Sequence, residues 1–238
     1  MEFTPFAKIP RLNRECVITE KIDGTNAQVF LYYTIKNADP EALQSWVDEG
    51  TIINLRAGSR TRWVTPKSDN AGFAQWVVTH AEELKEQLGP GQHIGEWYGN
   101  GIQRGYGLLN GDKRFALFNV GRWTPDNVPD CCTVVPVLYR GPFNTDAVND
   151  TLESLWKHGS FAVPGYNRPE GIVIYHEHAK SYFKVTLEND EMTKGEADYR
   201  ARQAKGTKDS TVSYREHLEA IGTHRATDPV NQTIQESV

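Results

Sequence analysis

Apolar and polar positions follow two kinds of pattern along the chain. Helical spacing of apolar residues predicts one helix within residues 70–91 and another within 144–159. Many strands with few helices between them indicate an α+β fold of mixed or antiparallel sheets with flanking helices. Strand-like patterning predicts β-strands near residues 15–22, 26–35, 51–57, 92–98, 115–121, 134–139, 170–176 and 180–187.

The segment CVITEKIDGTNAQVF, residues 16–30, contains an Asp23-Gly24 pair between two apolar runs. This pattern predicts a tight hairpin in which Gly24 supplies a positive φ. After the turn, residues 27–35 alternate between apolar and polar or aromatic types, as expected for a half-buried strand. The hairpin would display Lys21 at its mouth, either as an exposed lysine or as a nucleophile held at a cleft.

Composition narrows the class of protein. A chain of 238 residues with 38% hydrophobic content can bury a sizeable core. The polar sequence of residues 188–238 shows no strand alternation, so we expect a folded domain over 1–187 and a mainly helical C-terminal extension with a frayed tail. Three cysteines suggest neither a disulfide framework nor a zinc site, and we expect no membrane span and no secretory signal. These features predict a cytoplasmic protein.

Charge is distributed unevenly. The formal net charge of −5 argues against a protein that coats nucleic acid by bulk electrostatics. Residues 51–67, however, contain four basic residues and no acid, with Trp63 among them. This basic strip suits phosphate contacts and base stacking, and it equally suits a strand edge protected by charge.

Several downstream residues have both an ordinary and a functional interpretation. Glu96 joins a strand to a glycine-rich loop, Phe118 lies in an aromatic strand, and Glu170 begins an apolar strand. Lys180 and Lys184 are expected on one face of the last strand, about 13 Å apart. Taken singly, such residues are usually strand-end carboxylates, a core phenylalanine and solvated lysines.

Taken in chain order, these features form a set: Lys-x-Asp-Gly, Ser-Arg, Gly-Glu, an aromatic strand, Glu-Gly and a strand lysine. Over residues 15–187 the set resembles the covalent nucleotidyltransferase superfamily of ligases and mRNA capping enzymes. Within it, EKIDGTN and the lead-in PFAKIPRLNR are most similar to ATP-dependent RNA ligases of the RNA-ligase-2 type, many of them phage enzymes. The resemblance implies an ATP-grasp-like adenylyltransferase core over residues 1–187.

The resemblance also implies a substrate, a cofactor and partners. ATP is the expected substrate, Mg²⁺ or Mn²⁺ the expected metal, and RNA ends the expected partners, in nicked duplexes or broken single strands. A phage enzyme would act in the host cytosol. The activity implied is joining of a 3′-hydroxyl to a 5′-phosphate, as in RNA repair, through a covalent lysyl-AMP intermediate.

The resemblance implies that five residues carry out lysyl-AMP formation. Lys21 would attack the α-phosphate of ATP, and Lys184 would neutralise that phosphate. Glu96 and Glu170 would contact the ribose or a hydrated Mg²⁺, which Asp23 would help to hold. These residue types suit the reaction, because nearby cations favour an uncharged lysine and stabilise the charge that develops on phosphorus. Carboxylates supply the hard oxygen ligands that Mg²⁺ prefers.

The resemblance also implies that further residues bind the nucleotide. Glu20 would lie near the adenine edge, and Asn26 would orient the sugar or a phosphate. Arg60, in the Ser59-Arg60 pair, would hold a phosphate or the ribose, and Phe118 would stack on adenine. Glu96, Glu170 and Lys184 would complete the ATP-binding set.

The last motif departs from the Lys-x-Lys of the family, because it reads Lys184-Val185-Thr186. Lys180 or an arginine is the candidate source of the missing charge. Two alternatives stay open: a related enzyme that seals DNA nicks or transfers GMP to make a cap, and a nucleotide- or RNA-binding protein that has lost catalysis. The first is disfavoured because such enzymes carry an OB-type barrel after the final lysine motif, and the second because Lys21, Glu96 and Glu170 are intact. The geometry of the RNA substrate and the oligomeric state stay open.

Overall fold

A computed structural model describes residues 2–6 and 8–188. The predicted C-terminal extension lies outside these residues, apart from residue 188. The chain divides into two compact units between Lys21 and Ile22 and again at residues 137 and 138. We call residues 22–137 the continuous unit, and residues up to 21 together with those from 138 onward the discontinuous unit.

The described part of the chain contains eleven strands and three α-helices. In chain order they are β1 (Glu15–Lys21), β2 (Thr25–Thr34), β3 (Gln44–Asp48), β4 (Thr51–Ser59), β5 (Trp63–Val64), α1 (Phe73–Thr79), α2 (Ala81–Leu88), β6 (Gly91–Gly99), β7 (Lys113–Leu117), β8 (Cys132–Val134), β9 (Val137–Pro142), α3 (Thr145–His158), β10 (Gly171–His176) and β11 (Ser181–Thr186). None of the described helices is long and apolar enough to cross a membrane.

The discontinuous unit is built on a four-stranded sheet in the order β11-β10-β1-β9. Strand β10 pairs antiparallel with both β1 and β11. Helix α3 begins after Asn144, whose side chain accepts a hydrogen bond from the Ala147 amide, and ends at Gly159 with φ of 78°. One face of the sheet packs against this helix through a small apolar core: Cys16, Ile18, Leu152, Leu155, Ile172 and Ile174.

The continuous unit is built on a seven-stranded sheet in the order β3-β4-β2-β6-β7-β8, with the short β5 paired to β4. Its described pairs are antiparallel except β7 with β8, which is parallel. Helices α1 and α2 cover one face, which we call the inner face. The core between them includes Val29, Leu55, Phe73, Leu84, Trp97 and Phe115. Two mixed or antiparallel sheets with few helices confirm the predicted α+β class.

The predicted hairpin around Asp23-Gly24 is wrong, because β1 and β2 belong to different sheets. Gly24 does not have a positive φ either. A Cβ at this position would lie 2.5 Å from the carbonyl oxygen of Trp97 and 2.8 Å from Cβ of Tyr98. Glycine is therefore required here by close packing against β6 and not by the geometry of a turn.

Other element predictions need smaller corrections. The helix predicted within residues 70–91 is interrupted at His80, which has φ of −105° and whose ring Nδ1 lies 2.8 Å from the carbonyl oxygen of Trp76. Strands β3 and β5 were not predicted. The strand predicted near 134–139 is two strands, β8 and β9, and the strand predicted over 115–121 ends at Leu117, so Phe118 follows it.

Candidate active site

Lys21 and Glu170 meet although 149 residues separate them along the chain. Lys21 is the last residue of β1, and its register partner on β10 is Gly171, which directly follows Glu170. The lysine Nζ lies 2.6 Å from Oε2 of Glu170, with side chains 24% and 18% exposed. The pairing of β1 with β10 thus creates a positioned amine with a carboxylate at hydrogen-bonding distance.

Gly171 brings β11 close to the same point. Its φ is 153°, and a Cβ would lie 2.2 Å from the carbonyl oxygen of Val185. In the sheet, Lys21, Gly171 and Thr186 form one row of paired residues across β1, β10 and β11. Because glycine has no side chain, none stands between Lys21 and Thr186 in this row.

Lys184 lies on the same sheet face as Lys21. It pairs with Val173, which pairs with Thr19, two residues before Lys21. Two strand spacings and one two-residue step separate the Cα atoms of the two lysines by about 12 Å. The sheet therefore directs both amines from the same face.

Lys180 does not lie on β11 with Lys184, as the sequence suggested. It precedes the strand in a turn, with φ of 49°. Six residues separate it from Thr186, so it lies about 20 Å along the strand direction from the row of Lys21. The structure thus gives no support to Lys180 as the replacement for the second lysine of the motif.

Glu20 points to the opposite face of β1 from Lys21 and is 1% exposed. Its carboxylate accepts hydrogen bonds from Ser160 Oγ at 2.6 Å and from the amides of Phe161 and Ala162 at 2.8 and 2.9 Å. These donors satisfy a buried carboxylate that would otherwise be costly. They also anchor the end of β1 and thereby position Lys21. Sequence patterns gave no signal for the loop at 160–162, because it lies about 140 residues away.

Two residues predicted to bind the nucleotide are paired on the outer face of the seven-stranded sheet, opposite α1 and α2. Asn26 pairs with Glu96. Arg60 directly follows Ser59, the last residue of β4 and the register partner of Ala27, and lies in the turn that leads to β5. The register of β2 with β6 thus brings together an amide and a carboxylate from distant segments, and Arg60 begins the turn after the neighbouring strand.

Phe118 lies in the next row of the outer face. Its amide donates to the carbonyl oxygen of Ile94 at 2.9 Å, which extends the pairing of β7 with β6 by one residue. Phe118 is 37% exposed, whereas Phe115 on the inner face is fully buried. Phe118 is therefore an outward-facing aromatic next to the row of Glu96.

Asp23 forms an ion pair with Arg104, with 3.2 Å between Oδ2 and Nε. Sequence analysis did not identify Arg104. Within each unit, no three His, Cys, Asp or Glu side chains among the described residues gather into a metal-binding cluster. Mg²⁺ commonly takes only one or two carboxylates together with waters and phosphate oxygens. The carboxylates of Asp23 and Glu96, both in the continuous unit, are of the type that holds a divalent cation together with a nucleotide, and Glu170 offers the same type of ligand in the discontinuous unit taken by itself.

A comparison with protein-family models places most of the chain in one family. The model of the RNA ligase family matches residues 14–186. Among solved structures, a Naegleria gruberi RNA ligase mutant with AMP and Mn matches at 16% identity and a TM-score of 0.47, and another with ATP and Mn at 15% and 0.47. Each match covers 79% of this chain and 52% of the other, so the chain spans about half the length of these structures. A search of curated protein sequences finds no match.

Proposed function

The chain belongs to the RNA ligase family, and from that premise we propose that it is an ATP-dependent RNA ligase that uses Lys21 as its nucleophile. The enzyme joins a 3′-hydroxyl to a 5′-phosphate at RNA ends. The observation that carries the proposal is the contact between Lys21 Nζ and Glu170 Oε2 at 2.6 Å. It brings the lysine of the first motif to the glutamate of the fifth.

In the first step, the uncharged Nζ of Lys21 attacks the α-phosphorus of ATP. A nitrogen–phosphorus bond forms, the bond to the β-phosphate oxygen breaks, and pyrophosphate leaves. Glu170 is within the distance at which a carboxylate can accept a proton from the attacking amine. The contact also holds Nζ in one place, which favours in-line attack.

Two further transfers complete the reaction. An oxygen of the RNA 5′-phosphate attacks the phosphorus of lysyl-AMP, the nitrogen–phosphorus bond breaks, and Lys21 is restored. The RNA 3′-hydroxyl then attacks the activated 5′-phosphate and loses its proton, and AMP leaves. Lys184, on the same sheet face as Lys21, supplies positive charge for the phosphates.

The outer face of the continuous unit supplies contacts of the kind that a nucleotide requires. Phe118 offers a partly exposed ring for adenine, and Asn26 and Arg60 offer donors for the sugar or phosphate. A divalent cation, Mg²⁺ or Mn²⁺, would neutralise phosphate charge when bound, and Asp23 and Glu96 are its proposed carboxylate ligands in this unit. Glu20 positions the end of β1.

Intact-mass measurement after incubation with ATP and Mg²⁺ tests the proposal. The wild-type protein should gain one adenylate, and Lys21→Ala should gain none. Lys157→Ala, which changes an exposed lysine on α3 of the same unit, is the matched control and should be adenylated like the wild type. A gain of mass with GTP in place of ATP would indicate a capping-type enzyme instead.

Sealing assays test the substrate. Matched RNA, DNA and hybrid nicks, and broken single strands of RNA, are incubated with the purified protein and ATP. RNA ends should be sealed faster than DNA ends, and Lys21→Ala should seal none that lack a preformed adenylate. Sealing of unactivated ends by Lys21→Ala would refute the proposal.

A further inference from the structure

We infer that an aromatic platform on the outer face of the continuous unit binds an unpaired base of a single-stranded RNA segment. The platform consists of Phe30, Tyr32, Trp63 and the guanidinium of Arg56. This inference rests on the proposed function and extends it, because it assigns a surface to the RNA strand outside the reacting ends.

The platform is a continuous stack of flat groups. Phe30 and Tyr32 lie 4.9 Å apart between ring centroids with 19° between their planes, and Phe30 and Trp63 lie 6.0 Å apart with 22°. The guanidinium of Arg56 lies 4.5 Å from the centroid of the Trp63 ring. Neighbouring rings of the platform are therefore roughly parallel, which is the arrangement that a stacked base continues.

The register of the sheet explains why these side chains gather. Phe30 and Tyr32 alternate along β2, and Phe30 pairs directly with Arg56 on β4. Trp63 on β5 pairs with Gly58, where the side chain of Gln28 fills the space that a Cβ would occupy, since its Cγ would lie 2.8 Å from that Cβ. The stack is thus a product of strand pairing.

These aromatic residues are not part of the core. The inner face of β2 carries Val29 and Leu31, which are buried against the helices. Trp63 is 43% exposed. A tryptophan left in solvent beside parallel rings provides the sequence-tolerant surface that single-stranded nucleic acids use.

Hydrogen bonds hold the platform in place. Arg56 forms ion pairs with Asp39, at 3.4 Å, and with Glu41. Tyr32 donates a hydrogen bond to Asp39. Burial and this hydrogen bond raise the pKa of Tyr32 to about 12, so the phenol keeps its proton and its contact at neutral pH. Since two carboxylates neutralise Arg56, it contributes a flat surface more than a charge for phosphate.

The other basic residues near the platform suit binding of single-stranded RNA. Arg62 donates to the carbonyl oxygens of Ser68 and Asp69, so it shapes the loop after β5. In the part of the chain that the structure describes, Arg60 and Lys67 form no ion pair. A duplex hides its base faces and carries two rows of phosphates, whereas an unpaired strand offers its base faces and carries one row of phosphates. Arg60 is assigned to the nucleotide, so Lys67 is the cation left for a phosphate of the strand, and a stack with one such cation suits an unpaired strand.

The platform and the proposed adenine site share one sheet face. Trp63, Gly58, Gln28 and Ile94 form a row of paired residues across β5, β4, β2 and β6, which Phe118 extends. Four strand spacings place Trp63 about 19 Å from Phe118. One RNA strand can therefore cross this sheet from the platform toward the proposed adenine site at Phe118.

Binding of a fluorescent 12-nucleotide single-stranded RNA, followed by anisotropy, tests this inference. Trp63→Ala should raise the Kd about tenfold or more, and Trp63→Phe, which keeps a ring, should raise it much less. Tyr33→Ala is the matched control: it removes an exposed aromatic residue from the same strand on the opposite face and should leave the Kd unchanged. Binding of a duplex of the same length should respond little to Trp63→Ala.

Two further measurements separate this inference from the proposed function. Trp63→Ala should still form lysyl-AMP, as judged by intact mass, while sealing of broken single-stranded RNA falls with the loss of binding. Lys67→Ala should lower the slope of log K against log salt by about 0.7, and Trp63→Ala should leave that slope unchanged. A wild-type Kd for single-stranded RNA in Trp63→Ala, or an equal loss of duplex binding, would overturn the inference. Absence of lysyl-AMP in the wild-type protein would refute the proposed mechanism but not the platform.

Discussion

The two sheets of this protein display their candidate functional groups in contrasting ways. The four-stranded sheet fixes one amine, Lys21, against one carboxylate, Glu170, at 2.6 Å. The seven-stranded sheet instead spreads an amide, a carboxylate and a broad aromatic stack over its outer face. The contrast separates two physical tasks. A reacting atom needs a single partner at a defined distance, whereas a polymer of varied sequence needs a flat surface that accepts any base.

Replacing Glu170, the charged partner of Lys21, should have the largest effect of these substitutions, and the effect should be on the rate of lysyl-AMP formation. We expect Glu170→Gln to slow lysyl-AMP formation about a hundredfold, because Nζ loses the carboxylate that holds it and accepts its proton. Single-turnover kinetics by rapid quench and intact mass measure this rate. Binding of single-stranded RNA should not change, since the aromatic platform is built only from residues of the other sheet.

Glu177→Gln is the control for that experiment. Glu177 is an exposed glutamate just beyond the opposite end of β10, and its replacement should leave adenylation at the wild-type rate. Equal rates for Glu170→Gln and the wild type would reduce the contact with Lys21 to a structural ion pair.

Adding a side chain at Gly24, which packs against β6 of the seven-stranded sheet, should have the next largest effect, and it should lower the free energy of unfolding. Gly24→Ala places a methyl group 2.5 Å from the carbonyl oxygen of Trp97, so we expect a loss of about 1–3 kcal/mol in the free energy of unfolding. Urea denaturation followed by tryptophan fluorescence measures it. At Gly121 the nearest atom, Asn119 Oδ1, is 3.4 Å from an added Cβ, so Gly121→Ala should change stability by no more than about 0.5 kcal/mol. Similar urea denaturation curves for Gly24→Ala and Gly121→Ala would show that the backbone of β6 can move away from the added methyl group.

Lowering the pH should decrease the free energy of unfolding by a smaller amount, because His93 in the seven-stranded sheet is buried. Burial lowers the pKa of this histidine from 6.5, and its ring Nε2 lies 3.0 Å from the carbonyl oxygen of Gly89. Below pH 6.5 the unfolded chain binds a proton that the folded protein resists, so stability is complete above this pH and falls as the pH decreases. Urea midpoints between pH 5 and 7.5 report the slope, and His93→Gln should flatten it. An unchanged slope in His93→Gln would assign the dependence to other groups.

Local sequence patterns predicted elements better than their partners. Alternation located β2, and apolar runs located β1 and β10, because each of these strands has at least one buried face. The Asp23-Gly24 hairpin failed because a turn signal carries no information about strand pairing, and β1 finds its partner β10 about 150 residues later. Strand β5, with only two residues, is too short to show a period.

The candidate site was predictable in its motifs and not in its contacts. Lys21 and Glu170 stand out in sequence as parts of linked motifs, and the structure brings them together. Arg104 and Ser160 could not be found this way, because their importance comes from the tertiary contacts with Asp23 and Glu20. Arg62 resembles a phosphate ligand in sequence, yet its guanidinium is used by a loop backbone. Such roles depend on which groups the tip of a side chain contacts in the folded protein, and the spacing of residues in the sequence does not determine those contacts.

The interruption of one unit by the other has a consequence for synthesis on the ribosome. Residues 22–137 are contiguous and can fold as they emerge, whereas β1 must wait for β10 before its sheet can form. Until Glu170 has been translated, the amine of Lys21 has no carboxylate beside it. A nascent chain thus carries Lys21 from the beginning but can place a carboxylate beside its amine only after residue 170, so under the proposed mechanism shorter polypeptides would lack the arrangement for adenylation.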